Sequence, residues 1–332
     1  MNSIGTQIRL TTFGESHGPA MGGILDGMPS LVKIDREEIQ RELDRRAPGR
    51  RADTSQRKEP DRIEILSGLS EEGLTLGSPI GFIVRNQDAR SQDYGGYTNR
   101  FRPNHADFTY YAKYGIHAFA GGGRASARAT VSWVAGGAFC RQWLRELGVK
   151  VEANYIATNN VEEARNNGDS TGGLVEGLIT GLPVGIGEPL FDKLHARLGM
   201  AMMSINGVKG FEYGDGFGAA EMLGSEAADF MVPGINGGVG FKSNHSGGIL
   251  GGISNGMPIN FRVAFKPTPT IMRPLETVDV NNEPTIINPA GRHDPCIAIR
   301  GAVVVEAMAL LTIADMMRIA GYGSTYARMK DK

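Results

Sequence analysis

Glycine constrains this chain more than any other residue type. Forty-seven glycines occur in 332 residues, twice the usual share of about 7%. They sit in short distinct blocks among apolar and charged residues, which excludes a flexible linker or a disordered chain. Glycine costs backbone entropy on folding, so this density calls for tight turns or for backbone lying close to a ligand. Two blocks nearly repeat one another. Residues 22–29 read Gly-Gly-Ile-Leu-Asp-Gly-Met-Pro and residues 251–258 read Gly-Gly-Ile-Ser-Asn-Gly-Met-Pro, each a few residues after a histidine, His17 and His245. Their separation is too long for a solenoid, and no long polar linker divides them. They predict one domain over residues 1–332, built from two related halves.

Composition narrows the function classes. At 41% hydrophobic and 21% charged residues, the chain can bury a substantial core, and its net charge of −1 gives no overall electrostatic case for nucleic acid. Met1–Leu10 lacks an apolar signal region, so a cytoplasmic location is expected. The apolar run Gly301–Met317 is cut by Glu306 and Asp315 and reads as a buried helix, with no membrane span. Cys140 and Cys296 are far apart and lack ligand spacing, so they are expected as reduced thiols, with no disulfide and no metal site.

The element pattern is mixed. Asp35–Arg46 is expected to be a helix capped by Asp35, with Ile39 and Leu43 on its apolar face. Arg62–Leu66, Ile80–Val84 and Ile259–Ala264 read as strands. Ala125–Leu147 and Ala302–Ile319 read as long buried helices, the first entered from the glycines at 121–123. Strands and helices do not alternate regularly, which predicts an α+β fold over a doubly wound sheet.

Five blocks could carry chemistry. Gly14-Glu15-Ser16-His17-Gly18 fits the nucleophile elbow of a serine hydrolase in form, but Pro19-Ala20-Met21-Gly22-Gly23 is a poor helix start where an elbow needs one. Arg45, Arg46, Arg50, Arg51, Arg57, Lys58 and Arg62 crowd one segment. Such a run is commonly a solvated loop, yet guanidinium forks suit carboxylates and phosphates. Arg102-Pro103-Asn104-His105-Ala106-Asp107 places an imidazole between a guanidinium and a carboxylate, a setting for proton transfer. Gly121-Gly122-Gly123-Arg124-Ala125-Ser126-Ala127-Arg128 could present backbone N–H groups to an anion or be a tight structural turn. It matches neither a P-loop nor a dinucleotide fingerprint. In Gly291-Arg292-His293-Asp294-Pro295-Cys296, Asp294 or His293 could cap the following helix or join a site. Together these blocks point to an arginine- and histidine-rich site for an anionic, phosphorylated small molecule.

In their order, the blocks resemble the chorismate synthase family from Thr12 to about Met317. Besides those already quoted, the resemblance rests on Asp26-Gly27-Met28-Pro29, Gln56–Gly68, Arg90-Ser91-Gln92-Asp93-Tyr94, Phe191-Asp192-Lys193-Leu194, Ser204-Ile205-Asn206-Gly207-Val208-Lys209-Gly210, Gly214-Asp215-Gly216-Phe217, Asn244–Ile253 and Lys266-Pro267-Thr268. The resemblance implies elimination of phosphate and the C6 hydrogen from 5-enolpyruvylshikimate 3-phosphate to give chorismate, with reduced FMN required and no net redox change. It implies a single-domain layered sandwich, with helices between antiparallel sheets, pseudo-twofold internal duplication and homotetramer assembly.

By position, His17 matches the histidine that protonates the departing phosphate, and His105 the histidine beside the reduced flavin. Asp294, Ser16 and Ser126 match residues implicated in proton handling. FMN contacts correspond to Arg124, Ala125, Ser126, Asn206, Gly207, Gly251, Lys266, Pro267, Thr268, Pro269, Thr270 and Arg292. Arg46, Arg51, Arg102 and Arg128 match substrate-anion positions. Some relatives reduce their flavin with NADPH; Arg46 and Ala52 occupy the matching positions, Ala52 in place of a basic residue. The chain lacks long fungal-type insertions, so an external source of reduced flavin, such as a flavin reductase, is expected. Two other readings stand beside this one: a serine hydrolase attacking through Ser16, and a non-enzymatic flavin- or anion-binding protein.

Overall fold

A computed structural model describes residues 1–47, 61–86, 99–116, 122–234, 237–288 and 294–323. Two antiparallel sheets enclose a layer of helices. In the first half, β1 (Ser3–Ile4), β2 (Arg9–Gly14), β3 (Ala20–Asp26), β4 (Ile63–Ile65) and β5 (Ile80–Arg85) pair in the order β1-β2-β3-β5-β4. In the second half come β6 (Lys150–Ile156), β7 (Gly173–Thr180) and β8 (Val208–Tyr213). Two small hairpins follow, β9 (Met231–Pro233) with β10 (Val239–Phe241) and β11 (Ile249–Leu250) with β12 (Ile253–Ser254). The next strand, β13 (Ile259–Phe265), enters between β7 and β8, giving the order β6-β7-β13-β8. A last hairpin joins β14 (Leu275–Val278) to β15 (Pro284–Ile287).

The helices are α1 (Arg36–Arg46), α2 (Asp107–Tyr114), α3 (Thr130–Glu146), α4 (Val161–Asn166), α5 (Leu194–Met203) and α6 (Ala298–Ile319). α3 packs on the first sheet and α6 on the second, and the two pack on each other at the centre. Alternation explains the layering: along β13, Ile259, Phe261, Val263 and Phe265 point into the core while Asn260 and Arg262 face out. α3 and α6 approach so closely that a Cβ on Gly137 would stand 2.6 Å from the Cα of Ala307. Each half thus supplies a sheet followed by a long buried helix, as a duplicated domain requires.

Local expectations held in most places. α1 begins after Asp35, whose carboxylate accepts from Glu37 N at 2.9 Å, and buries Ile39 and Leu43. β4, β5 and β13 lie where the sequence pattern puts them. The helix expected from Ala125 is different: Gly123–Ala125 and Ala127–Ala129 form two short 3-10 turns, and α3 starts at Thr130. The Ser126 side chain accepts from Arg128 N between those turns, so the chain bends there before it becomes helical. α6 starts at Ala298 with Ile297 at its N-cap and no side-chain cap bond from it, and the Asp294 carboxylate pairs with Arg300. The repeated block is half alike in structure. Gly27 and Gly256 both turn with positive φ, 85° and 88°. The preceding glycines lie within β3 in the first copy and in the β11–β12 turn in the second.

The two carboxylates that interrupt the apolar α6 are both buried and both anchored. Asp315 accepts from the backbone N–H groups of Thr6, Gln7 and Ile8 at 2.9, 2.6 and 2.9 Å, tying the N-terminal segment to the core. Glu306 accepts a two-pronged contact from Arg45 (2.9 and 3.2 Å), a hydrogen bond from Arg141 and one from Ala153 N. Buried charge is tolerated where it is paired in this way. Among the described residues no helix is long and apolar enough to cross a membrane. Cys140 and Cys296 are both buried and free.

Candidate active site

The turn at 122–130 organises the site. Gly122 lies against the imidazole of His105: a Cβ there would come 3.0 Å from the ring Cε1, and its φ of 91° independently favours glycine. Beyond it, Arg124 donates to Gly14 O (3.1 Å) and to Thr12 Oγ1 (2.6 Å), binding the turn to the end of β2. Asn206, just past α5, donates to Ala125 O at 2.9 Å, and Gly207 O accepts from Lys266 N at 2.9 Å. One bend therefore gathers four separate stretches of chain.

His17 sits in the five-residue loop joining β2 to β3, and Ser16 Oγ lies 3.2 Å from His17 Nδ1. A strand–loop–strand setting excludes the elbow, which needs a helix after the nucleophile. Asn86, following β5, clamps this loop: its side chain donates to Glu15 O (3.1 Å) and Gly18 O (2.7 Å), and its backbone N–H to Pro19 O (3.1 Å). Its Oδ1 accepts from Arg128 Nε at 3.0 Å, linking the histidine loop to the arginines.

Around His105, Asp107 accepts from Nδ1 of the imidazole (2.6 Å), from Arg102 Nε (2.7 Å), from the Arg102 terminal nitrogen (2.8 Å) and from Arg102 N (3.1 Å). Burial alone raises the Asp107 carboxyl, but hydrogen bonds from Arg102 and His105 outweigh it and hold the group well below the usual carboxylate range. An ionised Asp107 fixes the proton of His105 on Nδ1 and leaves Nε2 for other work. Asn104 adopts a left-handed φ of 57°, and its carbonyl accepts from the Lys266 ammonium. Burial, with Lys209 nearby, lowers the Lys266 pKa.

The third group is an arginine cluster. Asp61, its side chain fully buried, pairs with Arg46 (2.8 Å) through one carboxylate oxygen and with Arg128 through the other. Burial, then Arg300 and Arg128, pull Arg46 down to about 10 against the opposing effect of Asp61, so it remains a cation at neutral pH. Arg300 donates to Arg46 O (2.8 Å) and to Asp294 (2.6 Å), and Thr268 Oγ1 fixes Asp294 O at 2.8 Å. Pro267 and Pro269 flank Thr268 between Lys266 and the buried Thr270.

Arg46, Thr130, Asn206, Asp294 and Arg300 line a cavity of about 50 Å³. Within the cluster, Arg46 Nε and Asn206 Oδ1 are buried with no hydrogen-bond partner among the described residues. Buried polar atoms of that kind call for a ligand or water. The segments 48–60, 117–121 and 289–293 adjoin these residues in sequence and lie outside the described residues; Arg51, Ala52 and Arg292 fall there.

Gly251 is not brought to this place. It occupies the β11–β12 turn, where Gly252 O accepts from Leu194 N at the start of α5. Asn206 lies past the other end of that ten-residue helix, about 15 Å away along its axis. A larger cavity of about 540 Å³ lies at the Gly251 end, lined by His195, Tyr213, Phe217 and an Asp215–His245 pair at 2.6 Å. It contains none of the predicted site residues.

Asp61, Asn86 and Arg300 were missed from the sequence. Asp61 carried a faint signal, lying beside a cluster of like charge that would need a counter-ion if buried; Asn86 and Arg300 carried none.

The chorismate synthase family model matches residues 8–160 and 152–318. The chain is 48% identical to a chorismate synthase of Porphyromonas gingivalis, with 95% of each chain covered. It is 47% identical to that of Campylobacter fetus subsp. fetus, with 96% of each covered. A crystal structure of a chorismate synthase superposes with a TM-score of 0.78 at 29% identity, covering 99% of this chain and 96% of that one. Fold and relatives agree: the chain belongs to the chorismate synthase family, carbon–oxygen lyases of aromatic amino-acid biosynthesis.

Proposed function

We propose that this chain converts 5-enolpyruvylshikimate 3-phosphate to chorismate with His17 as proton donor to the departing phosphate. The observation that carries the reading is the continuous network from the His17 loop through Asn86 to Arg128, Asp61 and Arg46, and on through Arg300 to Asp294. It links the loop that carries a proton donor to anion-binding guanidiniums and a carboxylate, the kinds of group that loss of phosphate beside a breaking C–H bond requires. Ser16 orients the imidazole of His17 through Nδ1. Asp107 orients His105 so that Nε2 can exchange a proton with a bound group. Arg46, Arg102 and Arg128 neutralise phosphate and carboxylate charge.

The donor set fits FMN. Asn206, the Gly122–Ser126 turn, Lys266 and Thr268 to Thr270 offer amide, hydroxyl and cationic groups to a flat anionic ligand, and Asn206 Oδ1, without a donor among the described residues, can accept one from it. Reduced FMN, when bound, supplies the transient electron and hydrogen acceptor that elimination of a weakly acidic C6 hydrogen lacks. Arg292 and, for NADPH, Arg46 and Ala52 remain assigned by family position.

The assembly we propose is a homotetramer. Gly251 can join an FMN site from a neighbouring copy, since within one chain α5 separates it from Asn206. Exposed Phe191, Phe217, Leu223, Phe230 and Met231 give the chain apolar area that an assembly can bury. The enzyme is expected in the cytoplasm, drawing reduced flavin from an external reductase.

An anaerobic assay with 5-enolpyruvylshikimate 3-phosphate and chemically reduced FMN tests the reading. Chorismate should form, and its absence with folded protein refutes it. Substituting oxidised FMN plus NADPH should give none if the flavin is reduced elsewhere. A non-enzymatic binding protein would release no phosphate in either case, and His17→Ala would change nothing.

A further inference from the structure

We propose that Asp61 is a positioning residue whose carboxylate sets Arg46 and Arg128 as one rigid two-guanidinium cradle for the substrate phosphate. The inference rests on the proposed phosphate elimination and goes beyond it, since Asp61 itself touches no reacting atom.

Asp61 is held from both sides. Its carbonyl accepts from Gln40 of α1 at 3.3 Å, and the Oε1 of the same Gln40 accepts from Ile63 N at 3.2 Å, fixing the chain just ahead of β4. Its backbone takes a left-handed φ of 42°, unusual for a residue other than glycine and tolerated best by aspartate and asparagine. The side chain then reaches the interior and gives one oxygen to each arginine. The separation of the two guanidiniums is thereby set by the width of one carboxylate, a spacing that two oxygens of a phosphate can also bridge.

Charge balance points the same way. Three guanidiniums, of Arg46, Arg128 and Arg300, are held together by two carboxylates, Asp61 and Asp294, and Asp61 alone serves two of them. Burial works to raise the Asp61 carboxyl, and Arg46 and Arg128 override it to keep the group ionised. Without Asp61, two like charges would face each other in a desolvated pocket and move apart or take up ions. With it, the cluster stays assembled, and among the described residues the Nε of Arg46 is left without an acceptor.

Asp61→Asn preserves shape and removes the charge that holds the pair. KM for 5-enolpyruvylshikimate 3-phosphate should rise at least about tenfold and inhibition by inorganic phosphate should weaken to match, while kcat changes much less. In an Arg128→Met background, adding Asp61→Asn should cost less than about twofold more, because the cradle is already broken. Independent, multiplicative effects would mean that Asp61 acts only on general stability and would overturn the proposal. So would wild-type KM and phosphate inhibition in Asp61→Asn. If Asp61→Asn does not fold, Arg128→Lys carries the test. An ammonium keeps the charge but loses the rigid planar fork that presents separate N–H groups to Asp61 and to phosphate at a fixed spacing, so KM should again rise about tenfold; an unchanged KM refutes the cradle. Should wild type make no chorismate, the proposed reaction falls separately. The melting-temperature rise caused by inorganic phosphate then decides: present in wild type and lost in Asp61→Asn supports the cradle, and equal in both, or absent from both, overturns it.

Discussion

Asp107→Asn isolates the role of one carboxylate in catalysis. The wild-type group accepts four hydrogen bonds, three from Arg102 and one from His105 Nδ1 at 2.6 Å. Asparagine keeps the volume and one acceptor oxygen but replaces the other oxygen with an NH₂ that can only donate. The amide oxygen will remain with Arg102, which brings three donors, so the NH₂ turns to His105. The imidazole must then offer a lone pair at Nδ1, and its proton moves to Nε2. What is lost at His105 is one charge-assisted hydrogen bond and the tautomer it fixed, worth about 1.5–3 kcal/mol.

At about 1.4 kcal/mol per factor of ten, kcat should fall by roughly 10- to 150-fold. The assay is anaerobic formation of chorismate from 5-enolpyruvylshikimate 3-phosphate with chemically reduced FMN, over a range of substrate. KM should move less than kcat, because His105 is assigned to proton handling and not to the substrate's anions. In a His105→Ala background, Asp107→Asn should add less than about threefold. A kcat within twofold of wild type, or an undiminished effect when His105 is absent, would refute the positioning of His105 by Asp107.

Acid stability should carry the mark of the same carboxylates. The folded-state pKa values of Asp107 and Asp61 are depressed, so their stabilisation is complete above the unfolded value of about 4 and disappears as pH falls through the lower folded values. Melting temperature followed from pH 7 to 2 should drop steeply below about pH 4 in wild type and less steeply in Asp107→Asn. Gly137→Ala places a Cβ against the Ala307 backbone and should destabilise by about 1–3 kcal/mol in urea unfolding, with the loss falling on the whole domain. Burial pushes the Cys140 thiol up, and Cys296 is equally enclosed; a thiol reagent should label neither in native protein and both in denaturant.

The sequence made the layered α+β plan legible because periodicity and capping act locally. Ile39 and Leu43 with Asp35 define α1, and the alternation from Ile259 defines β13, without reference to anything distant. The start of α3 was not legible, since Ala127 and Ala129 favour helix wherever they stand. What holds 123–129 in two 3-10 turns is tertiary: Arg124 is drawn to β2, Ala125 O to Asn206, and Arg128 to Asp61 and Asn86. Propensity differences of a few tenths of a kcal/mol per residue cannot compete with that set of contacts.

The site divides along the same line. His17, His105, Asp294 and the arginines stood out as candidates because each lies in a recognisable block, and the block keeps its chemistry wherever the fold puts it. Asp61, Asn86 and Arg300 stand in stretches that look like an ordinary loop, a strand end and a helix start. Their importance comes from partners 15, 42 and 254 positions away: Arg46 for Asp61, Arg128 for Asn86 and the Arg46 carbonyl for Arg300. Residues that meet a ligand are restricted in type by the ligand, whereas residues that hold them are restricted by geometry that exists only after folding. A cationic site must nevertheless obey one rule visible beforehand: guanidiniums cannot be buried together without carboxylates between them. The arginine-rich stretch around Arg46 therefore already required a counter-ion if it was to form a pocket and not a solvated loop. Folding selected Asp61, the carboxylate that serves two arginines at once.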